Sequence, residues 1–232
     1  MMGVEHLNNL AVTPGAVVTA LADPVEMSLG WARDALGAKA SGAKAFADSA
    51  SLAKSGLVDA VIVASPNNTH RNVLEPLFDA GLPILCEKPL ATTLDDARWI
   101  VERAAKSKAP FWTAMEYRYM PPAAEFISDV HSGRIGNLKM LSIREHRFPF
   151  LVKVRDWNRF SRNTGGTMVE KCCHFFDLMR LITKSEAVRV YCSGAMDVNH
   201  VDERYNGEKP DIIDNSYTTV DFANGVRALL DL

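Results

Sequence analysis

The first half of the chain alternates short apolar runs with stretches of helical period. Residues 16–22 form a β-rich run that ends at Asp23-Pro24 and predicts a strand. Residues 25–36 carry helical spacing up to Gly37, and residues 57–64 are a continuous apolar run suited to a strand covered on both faces. Residues 69–80 read as a helix stopped by Gly81, which Pro76 should kink or shorten. Residues 82–86 predict the next strand. Thr93 can then cap a helix over 94–106, with Asp96 near its positive end, and residues 111–115 begin another strand. Strand and helix alternating in this way imply a parallel sheet.

After about residue 116 the rhythm changes. Residues 137–148 are long and β-like, a single helix is predicted over 166–183, and 188–194, 212–222 and 226–232 read as meander strands around the polar stretch 199–209. This is the pattern of an α+β domain. No repeat, low-complexity segment or linker rich in Gly, Ser or Pro separates the halves, so they are expected to share an interface.

Composition narrows the function classes. The chain has 232 residues, 47% of them hydrophobic, enough for one large core or two modest ones. Lys plus Arg total 26 against 28 Asp plus Glu, so a net charge of -2 gives no general attraction to nucleic acid or an anionic membrane. Partners are expected to be small molecules or protein. No apolar run approaches the ~20 residues that cross a bilayer, and the opening residues do not read as a signal peptide. The expected location is cytoplasmic. Cys86, Cys172, Cys173 and Cys192 have neither disulfide nor metal-site spacing and read as reduced, mostly buried thiols. Asn67-Asn68-Thr69 matches a glycosylation sequon, which is taken as chance.

Open parallel sheets bind ligands at the carboxyl ends of their strands, so residues just after each strand are the candidates. Asp23 could accept hydrogen bonds from an adenosine ribose and repel a 2′-phosphate, favouring NAD over NADP; as a turn or cap before Pro24 it would be purely structural. Ser65, Pro66, Asn67 and His70 form a polar turn over a helix N-terminus, or a plain loop. Glu87-Lys88-Pro89 places a cation at a strand end, where it could stabilise a developing alkoxide or simply be solvated. Glu170, His174 and Asp177 fall at spacings of four and three on one stripe of an otherwise apolar helix. That stripe could be a structural hydrogen-bond network or a metal site for isomerisation or hydrolysis. It could equally be an acid/base pair, in which His174 exchanges a substrate proton and Glu170 sets its tautomer.

Taken in order, these segments resemble the Gfo/Idh/MocA family, named for glucose-fructose oxidoreductase and inositol dehydrogenase, and the resemblance covers essentially the whole chain. Ala64-Ser65-Pro66-Asn67 with His70 is similar to the family's strand-end motif beside the nicotinamide, and Cys86-Glu87-Lys88-Pro89-Leu90 to its most recognisable segment. Tyr117-Arg118-Tyr119 with Pro121 resembles the domain crossover, and Thr164-Gly165-Gly166 through Glu170, His174 and Asp177 the turn and helix of its catalytic pair. The resemblance implies an α/β chain: a Rossmann-type parallel sheet over 1–115 that lacks its first strand, then an α+β substrate domain over 116–232 with a largely antiparallel sheet. It further implies an NAD(P)-dependent dehydrogenase of a sugar or polyol, with NAD preferred. Lys88, His174 and Glu170 would be catalytic, and Gly3, Asp23, Ser65, Pro66, Asn67, His70, Glu87 and Lys88 would bind cofactor. Arg118 and Asp177 would bind substrate, and no metal is expected.

The chain departs from the family pattern in two places. Glu170 stands where many members have Asp. Met1-Met2-Gly3 resembles only the last half of the G-x-G-x-x-G loop, so the opening strand is expected to be missing, and the end at Leu232 is expected to be premature. A non-catalytic binding or oligomer-forming relative is the alternative expectation. A homo-oligomer built on the second sheet is compatible with either.

Overall fold

The computed structural model describes residues 2–146 and 148–232. Met1, in the expected loop remnant, and Arg147, in the predicted strand 137–148, lie outside the described residues. The chain forms two compact units, Met1–Ala114 and Met115–Leu232.

The first unit runs α1 (Met2–Val12), β1 (Ala20–Ala22), α2 (Glu26–Leu36), β2 (Lys44–Phe46), α3 (Ser49–Ala53), β3 (Val61–Val63), α4 (His70–Asp79), β4 (Ile84–Cys86), α5 (Leu94–Lys106) and β5 (Phe111–Thr113). All its ladders are parallel: β1 pairs with β2, and β3–β4–β5 form a three-stranded sheet. Among the described residues no ladder joins the two sets. The strands are shorter than the apolar runs that predict them. An apolar run reports burial, whereas a strand also needs a neighbour to take its N–H and C=O groups.

Local signals set several boundaries. Thr93 caps α5, its Oγ1 accepting from Asp96 N at 3.2 Å, and Gly37 closes α2 at φ 55°. Helix α4 runs through Pro76 to Asp79, so the proline does not end it early. The buried side chains of Leu74, Leu77 and Phe78 around the proline hold the turn through packing, which outweighs the lost backbone bond. Strand β2 and helix α3 are additions to the sequence reading; α3 is capped by Asp48, which accepts from Ser51 N at 2.7 Å.

The second unit contains α6 (Pro121–His131), β6 (Met140–Arg144), α7 (Ser161–Thr164), α8 (Thr167–Glu170), α9 (Cys173–Thr183), β7 (Ala187–Ala195), β8 (Asn215–Phe222) and β9 (Arg227–Asp231). Its sheet has the order β6-β9-β8-β7, antiparallel except for the parallel β6–β9 pair, so it is mixed and not a plain meander. Phe175, Leu178, Met179 and Ile182 of α9 pack with Val220, Phe222, Ala228 and Leu230 of the sheet. Each large apolar side chain buried in this way contributes about 1.5–3 kcal/mol.

Helix α6 accompanies what was predicted as a single helix. That predicted helix, 166–183, is in fact two, broken after Glu170: Cys172 N bonds Thr167 O at 3.1 Å and Phe175 N bonds Cys172 O at 3.0 Å, and the axis restarts at Cys173. Glu170 therefore closes one short helix while His174 and Asp177 stand on the next.

Candidate functional site

In the first unit Ser65, Pro66, Asn67, His70, Glu87 and Lys88 lie just past the carboxyl ends of β3 and β4, and Asp23 follows β1. A Cβ built on Gly3, in the first turn of α1, would lie 3.9 Å from Ala64 Cβ, so this helix N-terminus sits beside the end of β3. His6, which the sequence reading missed, places Nε2 2.7 Å from Glu87 Oε1. The other oxygen of Glu87 accepts from Lys88 N at 3.0 Å, and the carboxyl group is buried. Glu87 thus spends both oxygens on holding the loop that presents Lys88, itself half-buried.

His70 also works inward. The ring is fully buried, with Nδ1 3.2 Å from Leu90 O and Nε2 3.2 Å from Ser65 O, so it ties the loop after β3 to the loop after β4. Burial lowers its pKa, only partly offset by those carbonyls, which favours the neutral ring. Cys86 packs its Sγ 3.6 Å from Nδ1, and burial pushes the thiol up to about 12. Thr69 Oγ1 lies 2.9 Å from Ser65 Oγ and 2.7 Å from Pro66 O, fixing the turn. Asn67 is different: it is 6% exposed, and its Nδ2 has no hydrogen-bond partner among the described residues. A buried amide donor left unsatisfied costs about 1–3 kcal/mol. Together with the nearby N-terminus of α1, it fits a polar, anionic cofactor such as a dinucleotide. Asp23 accepts from Val25 N at 2.8 Å, the turn geometry expected of Asp before Pro.

In the second unit the segment 116–119 lies along α9. His174, 2% exposed, stacks on Tyr117 with ring centroids 4.1 Å apart and places Nε2 3.4 Å from Glu116 Oε1. Asp177 meets Arg118 in a two-pronged pair, Nε donating at 2.5 Å and Nη2 to the other oxygen. That pairing raises the pKa of Arg118 against its partial burial. Glu170 accepts from Lys153 Nζ at 2.9 Å, a partner no local pattern could reveal. Lys171 Nζ donates to Tyr117 Oη and lies 2.9 Å from Glu145 Oε1.

The turn feeding α8 depends on two glycines, Gly165 and Gly166, both at φ 81°. Thr164 Oγ1 accepts from Gly166 N at 2.9 Å and closes it. Among the described residues no group of three or more His, Cys, Asp or Glu side chains could hold a metal ion. The cysteines are free thiols; Cys86 and Cys172 are buried, but Cys192 is exposed, so the expectation of mostly buried thiols holds for only part of the set. No helix among the described residues is long and apolar enough to cross a membrane.

Comparison with known proteins aligns with this architecture. Residues 1–115 match the family described as an oxidoreductase family, NAD-binding Rossmann fold, and residues 127–232 match its C-terminal alpha/beta domain. The chain is 29% identical to the rhizopine catabolism protein MocA of Rhizobium meliloti over 80% of its own length and 55% of that protein. It is 31% identical to inositol 2-dehydrogenase 2 of Saccharopolyspora erythraea over 97% of its length and 62% of that protein. The crystal structure of a probable dehydrogenase from Thermotoga maritima superposes with a TM-score of 0.83 at 27% identity, covering 100% of this chain and 65% of that one. The chain thus spans between about half and two thirds of the length of these relatives.

Proposed function

Because this chain belongs to the Gfo/Idh/MocA oxidoreductase family, we propose that it is an NAD-dependent dehydrogenase of an inositol-like polyol or related sugar. The observation that carries the reading is His174, a buried imidazole held against Tyr117 and within 3.4 Å of Glu116, beside the Arg118–Asp177 pair. A ring so placed can take a proton along one direction, the requirement for general base chemistry.

When bound, NAD supplies the hydride acceptor. The N-terminus of α1 with Gly3, the turn Ser65-Pro66-Asn67 and Asp23 would hold it, the orphaned amide of Asn67 donating to one of its polar groups. Asp23 supports NAD over NADP through charge repulsion with a 2′-phosphate. His70 and Glu87 support the site by fixing its two loops. Lys88 offsets the negative charge that grows on the substrate oxygen, and His174 accepts the hydroxyl proton. Arg118 and Asp177 would orient neighbouring hydroxyls. Glu170 would set the tautomer or basicity of His174, four residues further along the chain. Free thiols at all four cysteines suit a reducing, cytoplasmic setting.

His174→Ala is expected to lose about 10² to 10⁴ in turnover with NADH affinity unchanged. NADH fluorescence titration and myo-inositol-dependent NADH formation measure the two separately, and unchanged turnover removes His174 from the mechanism.

A second reading, a non-catalytic binding or oligomer-forming protein, is favoured by one feature. Strand β7 is exposed almost throughout, with Val188, Val190 and Tyr191 each more than half exposed. Absence of NADH binding by folded chain that sediments as an oligomer would select this reading.

A further inference from the structure

Tyr117 is held on both sides. One face stacks on His174, the planes 9° from parallel, and its ring meets Phe175 edge-on at 5.9 Å. Its hydroxyl oxygen accepts from Lys171 Nζ, and the same ammonium lies 4.8 Å from the ring centroid. Lys171 is only 8% exposed and is held in turn by Glu145 at 2.9 Å. Burial disfavours its ammonium, but the hydrogen bonds to Tyr117 and Glu145 outweigh that and raise its pKa, so the anchor stays charged.

A buried ion pair adds little stability over a well-packed apolar pair, so its presence asks for another reason. Histidine rotates about χ2 in a broad two-fold well, and a proton acceptor is useful only if its lone pair keeps one direction. A parallel aromatic plane restricts that rotation, provided the plane cannot itself turn. The hydroxyl contact to Lys171 supplies that restraint. Resting on the hydride-transfer reading above, we propose that Tyr117 is a positioning residue that fixes the plane of His174, anchored through its hydroxyl by the Lys171–Glu145 ion pair. Among the described residues, the charged and titratable groups on the elements that carry His174 and Tyr117 include Glu116 and Arg118 on the 116–119 turn, Asp177 on α9, and Glu170 and Lys171 at the helix break, with Glu145 paired to Lys171.

Ring NMR of His174 across a pH titration tests this in the full chain, comparing wild type with Tyr117→Phe, Tyr117→Leu and Lys171→Met. Tyr117→Leu is expected to broaden the ring resonances and lower the titration midpoint, because the π face that favours imidazolium is gone. Tyr117→Phe and Lys171→Met keep the stack without its anchor and should broaden the resonances with a smaller midpoint shift. In parallel, kcat should fall about tenfold or more in Tyr117→Leu with KM little changed, and Tyr117→Phe should recover most of it. His174 resonances in Tyr117→Leu that relax and titrate as in wild type overturn the proposal. Should that variant fail to melt cooperatively, wild-type behaviour in both Tyr117→Phe and Lys171→Met overturns it instead. A wild-type chain without polyol oxidation would sink the hydride-transfer reading alone, since the NMR result decides the positioning role independently.

Discussion

His6 and Glu87, 81 residues apart in sequence, meet at 2.7 Å and tie helix α1 to the loop that presents Lys88. The pair is almost shielded from water, with 18% and 6% of the two side chains exposed. A hydrogen bond to a charged group in such surroundings is worth about 1.5–3 kcal/mol. His6→Ala should therefore lower stability by that order and weaken NADH binding by loosening α1. Glu87→Gln, which keeps an acceptor, should do so less. Thermal melts with and without NADH measure both effects, and equal melting of His6→Ala and wild type would show the contact to be idle.

Arg118 and Asp177 form a fork whose guanidinium is 36% exposed, so water screens part of their attraction. A double-mutant cycle with Arg118→Met and Asp177→Asn should return a coupling of about 1 kcal/mol in stability. If the pair orients substrate, each single variant should also raise KM for polyol more than it lowers kcat. A kcat loss at constant KM would move these residues from binding to positioning of His174.

Gly165 adopts φ 81°, and a Cβ there would meet Val169 Cγ1 at 2.7 Å. Gly165→Ala combines left-handed strain with that overlap and should cost about 1–3 kcal/mol, which for a chain of this size lowers Tm by about 2–4 °C per kcal/mol. Gly15→Ala has positive φ but nothing within 4 Å, so it isolates the backbone contribution and should cost less. Equal melting temperatures for the two would mean that Val169 gives way freely.

Glu203 faces Arg159, His200 and Tyr205 in the second unit. Burial raises its pKa, but the hydrogen bonds from His200, Tyr205 and Arg159 outweigh it and bring the carboxyl down to about 2 from 4.5. A folded pKa below the unfolded one means the stabilisation is complete above pH 4.5 and is lost as pH falls towards 2. Melting wild type and Glu203→Gln across that window should give curves that converge at acid pH. Parallel curves would show that Glu203 does not carry the acid lability.

The alternation of strand and helix in the first unit, the capped helix Leu94–Lys106 and the change of pattern near residue 116 were legible in the sequence, whereas β2, α3 and α6 were not. The legible features rest on apolar periodicity, turn residues and caps, all of which act within a few residues. What sequence could not reveal was which groups those residues would meet. Glu170 and His174 were expected on one helix stripe, but the axis breaks after Glu170, and Lys153 donates to its carboxylate. His6, Glu145 and Lys171 carry no local signal, and Tyr117 stood out only as part of the crossover segment, because their partners lie far away along the chain. Strand ends in the first unit were overextended for the same reason: hydrophobic runs are a property of the chain, whereas a ladder belongs to two strands at once. Local physics therefore determined what could fold and where the candidate groups lie in sequence. Only the tertiary structure decided which of those groups hold loops in place and which stand beside His174.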